Sequence, residues 1–588
     1  MFQWPNARRR YGRKMPMLRQ VLVACAAGLS LTVALNASAA TVPPAKLETY
    51  LSYPFISGLK ASPSGTRLAW IENRQGVRNI WTAETPDFQP RRLTSGTADD
   101  GMELGELSLS PDGKIVAWSR GGGESNSWGA GLPPPNPASA VDQSHKEIWV
   151  SIAGAAPVRA APDGEEPMLS ATGQLAYLKD GQVWTADLTA KAPPRRLFYD
   201  RGRAAQLAWS PDGGRLAFVS RRGDHSFIGI YSGPDHPLTW LSPATAFDAN
   251  PTWSPDGQRL AFSRQPGRAE PLTSPLHETA NPFELWVGSP TDGAAHAIWR
   301  SPADLNGSYP EVPDGLFLLW GAGDRLIFRA EMDGWPHLYS LSASGGTATL
   351  LTPGPFMVEH VAMTPDRRAL LFSANAGAAD EDIDRRHLFK VAVDRPGLTP
   401  LTAGTGLEWT PAALTEGRIA YIASTPTTVM AVNLAGADGR GAKALDIAGP
   451  AYATGILTAP KALPFTAADG QPLHGQLFLP PNGGAKHPAV VFVHGGPSRQ
   501  MLLGWSYMDY YANAYAVNQY LASRGFVVLS VNYRLGIGYG RAFQHPEKGG
   551  RAGDAEYQDV LAAARLLQQL PQVDPTRLGI WGGSYGAG

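Results

Sequence analysis

The 588-residue sequence predicts a two-part fold, a β-propeller of seven or eight blades followed by an α/β domain on a parallel sheet. Three observations carry that prediction. A short phrase, S-P-D-G followed by an apolar run, recurs through the middle of the chain. After Ala459-Pro460 the pattern changes to strands that alternate with helices. The last strand, at 578–581, runs into a glycine-rich turn that holds Ser584.

The chain begins with a basic stretch, Arg8, Arg9, Arg10, Arg13, Lys14 and Arg19, then an apolar run at 21–35 and Ala37-Ser38-Ala39 ahead of Ala40. A basic region, a short apolar core and an A-x-A site are the marks of a secretory signal, here 1–39, so export to the periplasm or the medium is expected. The apolar run is shorter than the roughly 20 residues a bilayer crossing needs, and no stable membrane span is expected after signal cleavage. Cys25, the one cysteine, lies inside this segment. The remainder therefore has no thiol for a disulfide, a nucleophile or a metal site. Lys+Arg and Asp+Glu both number 51, and this balance gives no reason to expect a nucleic-acid partner. No metal, nucleotide or other cofactor motif is present, so no cofactor is expected.

After a segment at 41–58, the phrase reads SPSGTRLAW at 62–70, SPDGKIVAW at 110–118, SPDGGRLAF at 210–218 and SPDGQRLAF at 254–262. Weaker copies stand at 171–178, 321–328, 364–372 and 415–422. Pro-Asp-Gly is a turn in which proline fixes φ and glycine takes positive φ, and it joins two apolar strands. An aliphatic-aromatic pair then opens another strand, as in Ile80-Trp81, Ile148-Trp149, Leu285-Trp286 and Leu388-Phe389. RRLT at 91–94 and RRLF at 195–198 supply further short strands. The turns at Pro211 and Pro255 are 44 residues apart, a blade period, so 59–455 is read as a ring of blades. Glu165 and Glu166 invite comparison with the paired glutamates of dipeptidyl peptidases, but their place ahead of a turn favours a loop between blades. The insertions at 121–137 and 265–282 are long enough to line a face of the ring.

From 460 to 588 the alternation changes. A strand at 473–479, a buried strand at 489–494, a helix at 511–524, a buried strand at 526–531 and an amphipathic helix at 555–569 lead to the strand at 578. Gly582, Ser584 and Gly586 match G-x-S-x-G, a nucleophile elbow, in which glycines let a strained strand-to-helix turn pass without a Cβ clash. A G-x-S-x-G on the last strand of such a sheet predicts an α/β-hydrolase, here incomplete because only four residues follow Ser584. Ser584 is the candidate nucleophile. HGGP at 494–497 ends the strand that begins at Ala489, where these folds place one oxyanion donor. The backbone N–H of Tyr585 and that of Gly496, or alternatively Gly495, are the candidate donors, each lowering a barrier by about 3 to 4 kcal/mol. His494, beside two glycines, is read as structural rather than as a base.

A propeller followed by HGGP, NYRLGIGYG at 532–540, Asp559 in the helix ahead of the elbow and GGSYGAG at 582–588 resembles the prolyl oligopeptidase family of serine peptidases. The resemblance is to its acylaminoacyl-peptidase and dipeptidyl-peptidase-like branches. It extends over nearly all of the chain after the signal, and departs at Leu535, Gly536 and Ile537 from the family's usual NYRGSTGYG. It implies cleavage of short peptides through an acyl-enzyme on Ser584, with the propeller excluding large folded substrates. The triad aspartate and histidine of that family follow the elbow, and no Asp or His follows Ser584, so these 588 residues are expected to be inactive as a fragment or a shortened reading frame. The alternative reading is a non-catalytic periplasmic propeller that binds a protein or peptide partner. An esterase is the third, disfavoured because small esters need no filter of this size. The sequence leaves oligomeric state, cleavage-site preference and exo- or endopeptidase action open.

Overall fold

The computed structural model describes residues 45–121, 145–267, 278–313, 315–447, 449–481, 483–484, 486–550 and 553–587. The expected signal at 1–39 with Cys25, most of the 121–137 insertion and the middle of the 265–282 insertion lie outside the described residues. The described residues pack as one compact unit.

Among the described residues, eight four-stranded antiparallel units run from Phe55–Ala61 to Lys443–Ala444, including those built on the weaker phrases near 171 and 415, and the fourth and fifth are joined by one parallel pair, Ser226 with Phe247. The first unit opens at Phe55 rather than 59, because the phrase marks the turn after the first strand and not the strand itself. The serine of the phrase closes this turn. Ser254 Oγ donates to Asp256 at 2.6 Å and accepts from the Arg259 N–H at 2.9 Å, while Gly257 takes φ +68°. Ser110 repeats the pattern with Asp112 and Ile115. The aliphatic-aromatic pairs stand one residue into third strands such as Glu147–Ile152 and His387–Ala392, and only in Val77–Glu84 do three residues precede the pair.

Each gap between neighbouring units is filled by its own apolar cluster, for example Ile71, Ile80 and Leu93 against Leu107 and Trp118 between the first and second. The ring closes without sharing a strand. The first strands of the first and last units lie against each other, and the Thr415 N–H donates to the Gly65 carbonyl at 3.0 Å. The closing cluster combines Trp70, Trp409 and Ile422 with Trp505 and Tyr515 of the α/β domain, so that domain shares the core that joins the ring's two ends.

Glu165 and Glu166 are not in a loop. They open the strand Glu165–Leu169, with Glu166 at φ +51° in an irregularity of the ladder, and its N–H donates to Glu106 Oε2 at 2.7 Å. Glu106, Gln206, Asn250, His360 and Thr410 take the same left-handed conformation in the first strands of their units. A β-bulge consumes a residue that the apolar alternation hides, which is why a polar pair ahead of a turn reads as a loop.

The α/β sheet has the order Lys461–Thr466, Pro472–Phe478, Val527–Asn532, His487–Val493, Val573–Gly582. The last three are parallel, but the first two pair antiparallel, so the sheet is mixed. Five residues between Thr466 and Pro472 permit only a hairpin, since a parallel crossover needs a dozen or more. Helix Asp509–Ser523 packs into the ring-closing cluster, whereas helix Ala555–Gln569 packs on the sheet through Ala563 and Leu567.

Candidate active site

Parallel pairing in register sets the site. Val493 lies opposite Gly582 at the carboxyl ends of two neighbouring strands, so the HGGP loop and the serine turn leave the sheet side by side. Ligands in open α/β sheets bind in this crevice. Ser584 takes φ +54°, left-handed backbone that costs a non-glycine residue about 1 to 3 kcal/mol and marks the strained elbow.

The glycines show how tightly the two loops meet. A Cβ on Gly495 would lie 2.3 Å from the Gly583 carbonyl oxygen and 2.9 Å from Ser584 Cβ. One on Gly586 would lie 2.2 Å from the Val493 oxygen, and one on Gly583 would meet the Tyr510 hydroxyl at 1.9 Å. Gly496 takes φ +52°. Among the described residues, the N–H groups of Gly495, Gly496 and Tyr585 donate to no protein acceptor, and Ser584 Oγ makes no hydrogen bond. The structure thus brings Ser584, Gly495, Gly496 and Tyr585 together, with backbone donors left open beside an exposed hydroxyl.

His494 is fully buried, its ring stacked on Tyr533 with centroids 4.2 Å apart and its Nδ1 3.2 Å from the Gly495 oxygen. Burial pushes its pKa down to about 4, so the ring stays neutral. The Tyr585 hydroxyl donates to Glu556 Oε1 at 2.6 Å, and burial and then that carboxylate push its pKa up to about 12. A cavity of about 480 Å³ beside the turn is lined by Val493, Tyr533, Glu556, Ile580 and Tyr585.

Two tyrosines that the motif reading missed hold the HGGP loop. The Tyr533 hydroxyl donates to the His494 carbonyl at 2.7 Å, and the Tyr511 hydroxyl donates to the Gly495 carbonyl. Tyr533 is anchored by its neighbour, because Arg534 forms a buried bidentate pair with Asp559 that also accepts the Arg534 N–H at 2.8 Å. The NYRLGIGYG departure has a physical cost. Leu535 takes φ +79° where the usual motif has glycine.

Residues 512–587 match the model of the Prolyl oligopeptidase family, and residues 299–427 match that of the Dipeptidyl peptidase IV (DPP IV) N-terminal region. In its last segment the chain is thus similar to the prolyl oligopeptidase family, and in its middle to a dipeptidyl peptidase IV N-terminal region. The chain is 32% identical over 133 residues to the uncharacterized peptidase YuxL of Bacillus subtilis, covering 22% of this chain and 19% of that protein. It is 29% identical over 300 residues to a probable dipeptidyl-aminopeptidase B of Emericella nidulans, covering 49% of this chain and 31% of that one. The matches therefore span a third or less of these curated relatives. The crystal structure of Porphyromonas gingivalis dipeptidyl peptidase 4 superposes with a TM-score of 0.65 at 16% identity, covering 92% of this chain and 81% of that one, a likeness of fold.

Proposed function

We propose that the protein is a serine-type peptidase that cleaves short peptides through an acyl-enzyme on Ser584. The observation that carries this reading is Ser584 in left-handed backbone at the end of a parallel strand, with Gly495 packed against it and the Gly495, Gly496 and Tyr585 N–H groups unpaired. Serine Oγ attack on a peptide carbonyl places negative charge on the carbonyl oxygen, and open backbone donors next to the nucleophile suit that charge. Gly496 and Tyr585 are the donors in this reading, with Gly495 the alternative. Relatives named dipeptidyl peptidases support peptides as the substrate class. Export on a cleaved 1–39 signal belongs to the same reading.

Acyl transfer also needs a base for the serine proton and a carboxylate to orient it. Among the described residues no histidine or carboxylate hydrogen-bonds Ser584. A chain of these 588 residues is therefore expected to bind a peptide boronic acid through Ser584, the serine proton passing to solvent water as the B–O bond forms, but to release no p-nitroaniline from peptide p-nitroanilides. Boronate binding that survives Ser584→Ala unchanged would refute the nucleophile. Turnover that Ser584→Ala abolishes would refute the inactivity.

A further inference from the structure

Resting on the reading of Ser584 as nucleophile, we propose that Tyr511 and Tyr533 are positioning residues that set the oxyanion donors by holding the opposite ends of their peptide planes. In a trans peptide the C=O and the following N–H point in opposite directions. The plane joining Gly495 to Gly496 has its carbonyl taken by the Tyr511 hydroxyl and by His494 Nδ1 at 3.2 Å, so the Gly496 N–H is turned the other way and left open. The plane joining His494 to Gly495 has its carbonyl taken by the Tyr533 hydroxyl at 2.7 Å, which leaves the Gly495 N–H open in the same manner. The two clamped planes are successive, and the clamps arrive from different elements. Tyr511 stands in the first turn of helix Asp509–Ser523, and Tyr533 directly follows strand Val527–Asn532.

A clamp is needed because of the sequence it holds. Two adjacent glycines give the chain access to both signs of φ, and Gly496 already uses φ +52°. An unrestrained plane between them could turn over and present a carbonyl oxygen where the donor belongs, which would repel an oxyanion. Both phenols suit a permanent donor. Tyr511 is 6% exposed and Tyr533 1%, and burial raises both pKa values, so neither hydroxyl ionises at neutral pH. Neither tyrosine touches the reacting atoms in this account. Each acts through the backbone it holds.

The test uses the full chain and Tyr511→Phe, which removes one oxygen and no ring. Crystal structures should show the Gly495–Gly496 plane rotated or split in the variant. A peptide boronic acid, which becomes a tetrahedral anion only on bonding to Ser584 Oγ, should bind at least tenfold more weakly, while the matching peptide carboxylate, which forms no such adduct, should change less than twofold. Tyr533→Phe is the second variant, and should turn the His494–Gly495 plane. A role in packing alone would lower the melting temperature and weaken both ligands together. An unrotated plane with an unchanged boronate-to-carboxylate ratio in both variants overturns the proposal. Failure of the underlying reading looks different: the boronate would bind the unmodified chain and Ser584→Ala equally, and the plane orientations would still decide the positioning claim.

Discussion

Asp559 has no exposed surface, and its carboxylate accepts the Arg534 N–H at 2.8 Å, Nε at 3.0 Å and Nη2 at 2.7 Å. These bonds hold the Arg534 pKa above its ordinary value, so the guanidinium carries its charge inside the protein. Asp559→Ala leaves that charge with one carboxylate partner, Asp469, whose side chain is 56% exposed. Removing one member of a buried pair costs about 3 to 5 kcal/mol. At 1.4 kcal/mol per tenfold this is a hundredfold to a few thousandfold faster local opening. Hydrogen exchange of peptides covering 527–540, read by mass spectrometry under native conditions, measures that opening directly. A second variant separates the buried charge from the lost bonds. Arg534→Met with Asp559→Leu removes the charge and leaves only the Arg534 N–H unpaired, a cost of about 1 to 3 kcal/mol. It should exchange more slowly than Asp559→Ala. Acceleration below tenfold in Asp559→Ala, or a double variant no better than the single one, would show that the pair does not anchor the loop carrying Tyr533.

His494 should make stability fall on acidification: the unfolded chain protonates it near pH 6.5 and the native state only near 4, so about 3 kcal/mol drains away between those values. Denaturant midpoints across that range should lose this slope in His494→Gln, and parallel slopes would refute the assignment of a buried neutral ring. Gly495→Ala should force the serine turn and the HGGP loop apart, since the new Cβ would lie 2.3 Å from the Gly583 oxygen, whereas Gly455→Ala meets nothing within 4 Å and serves as the control. Boronate binding should vanish in the first variant and persist in the second. Ser254→Ala should cost the propeller about 1 kcal/mol by removing the hydroxyl that ties Asp256 to the Arg259 N–H, and an unchanged propeller melting transition would argue against that role of the repeated serine.

Much of the chain was legible because its signals are local. Pro-Asp-Gly turns, the serine that closes them and the pairs such as Ile80-Trp81 each act within a few residues, so the eight phrases correspond to eight antiparallel units. The same holds for the site's core: Ser584 and the HGGP glycines are defined by spacing within one turn, and the parallel pairing of Val493 with Gly582 then makes them neighbours. Local reading misled where a bulge interrupts alternation, as at Glu166, and where the polar and proline-bearing stretch Lys461–Thr466 hid an antiparallel strand.

What the sequence determined by itself, then, was the repeat, the change of fold class after 460 and the candidate nucleophile with its candidate donors, each written in short-range turn chemistry. What only the tertiary structure decided was which side chains hold the loop that carries the candidate donors. Tyr511 reaches the Gly495 carbonyl across 16 residues, Tyr533 reaches His494 across 39, and Arg534 reaches Asp559 across 25. A side chain that captures a backbone carbonyl at such separations imposes no period and no spacing on the sequence, so its partner becomes visible only when the chain has folded.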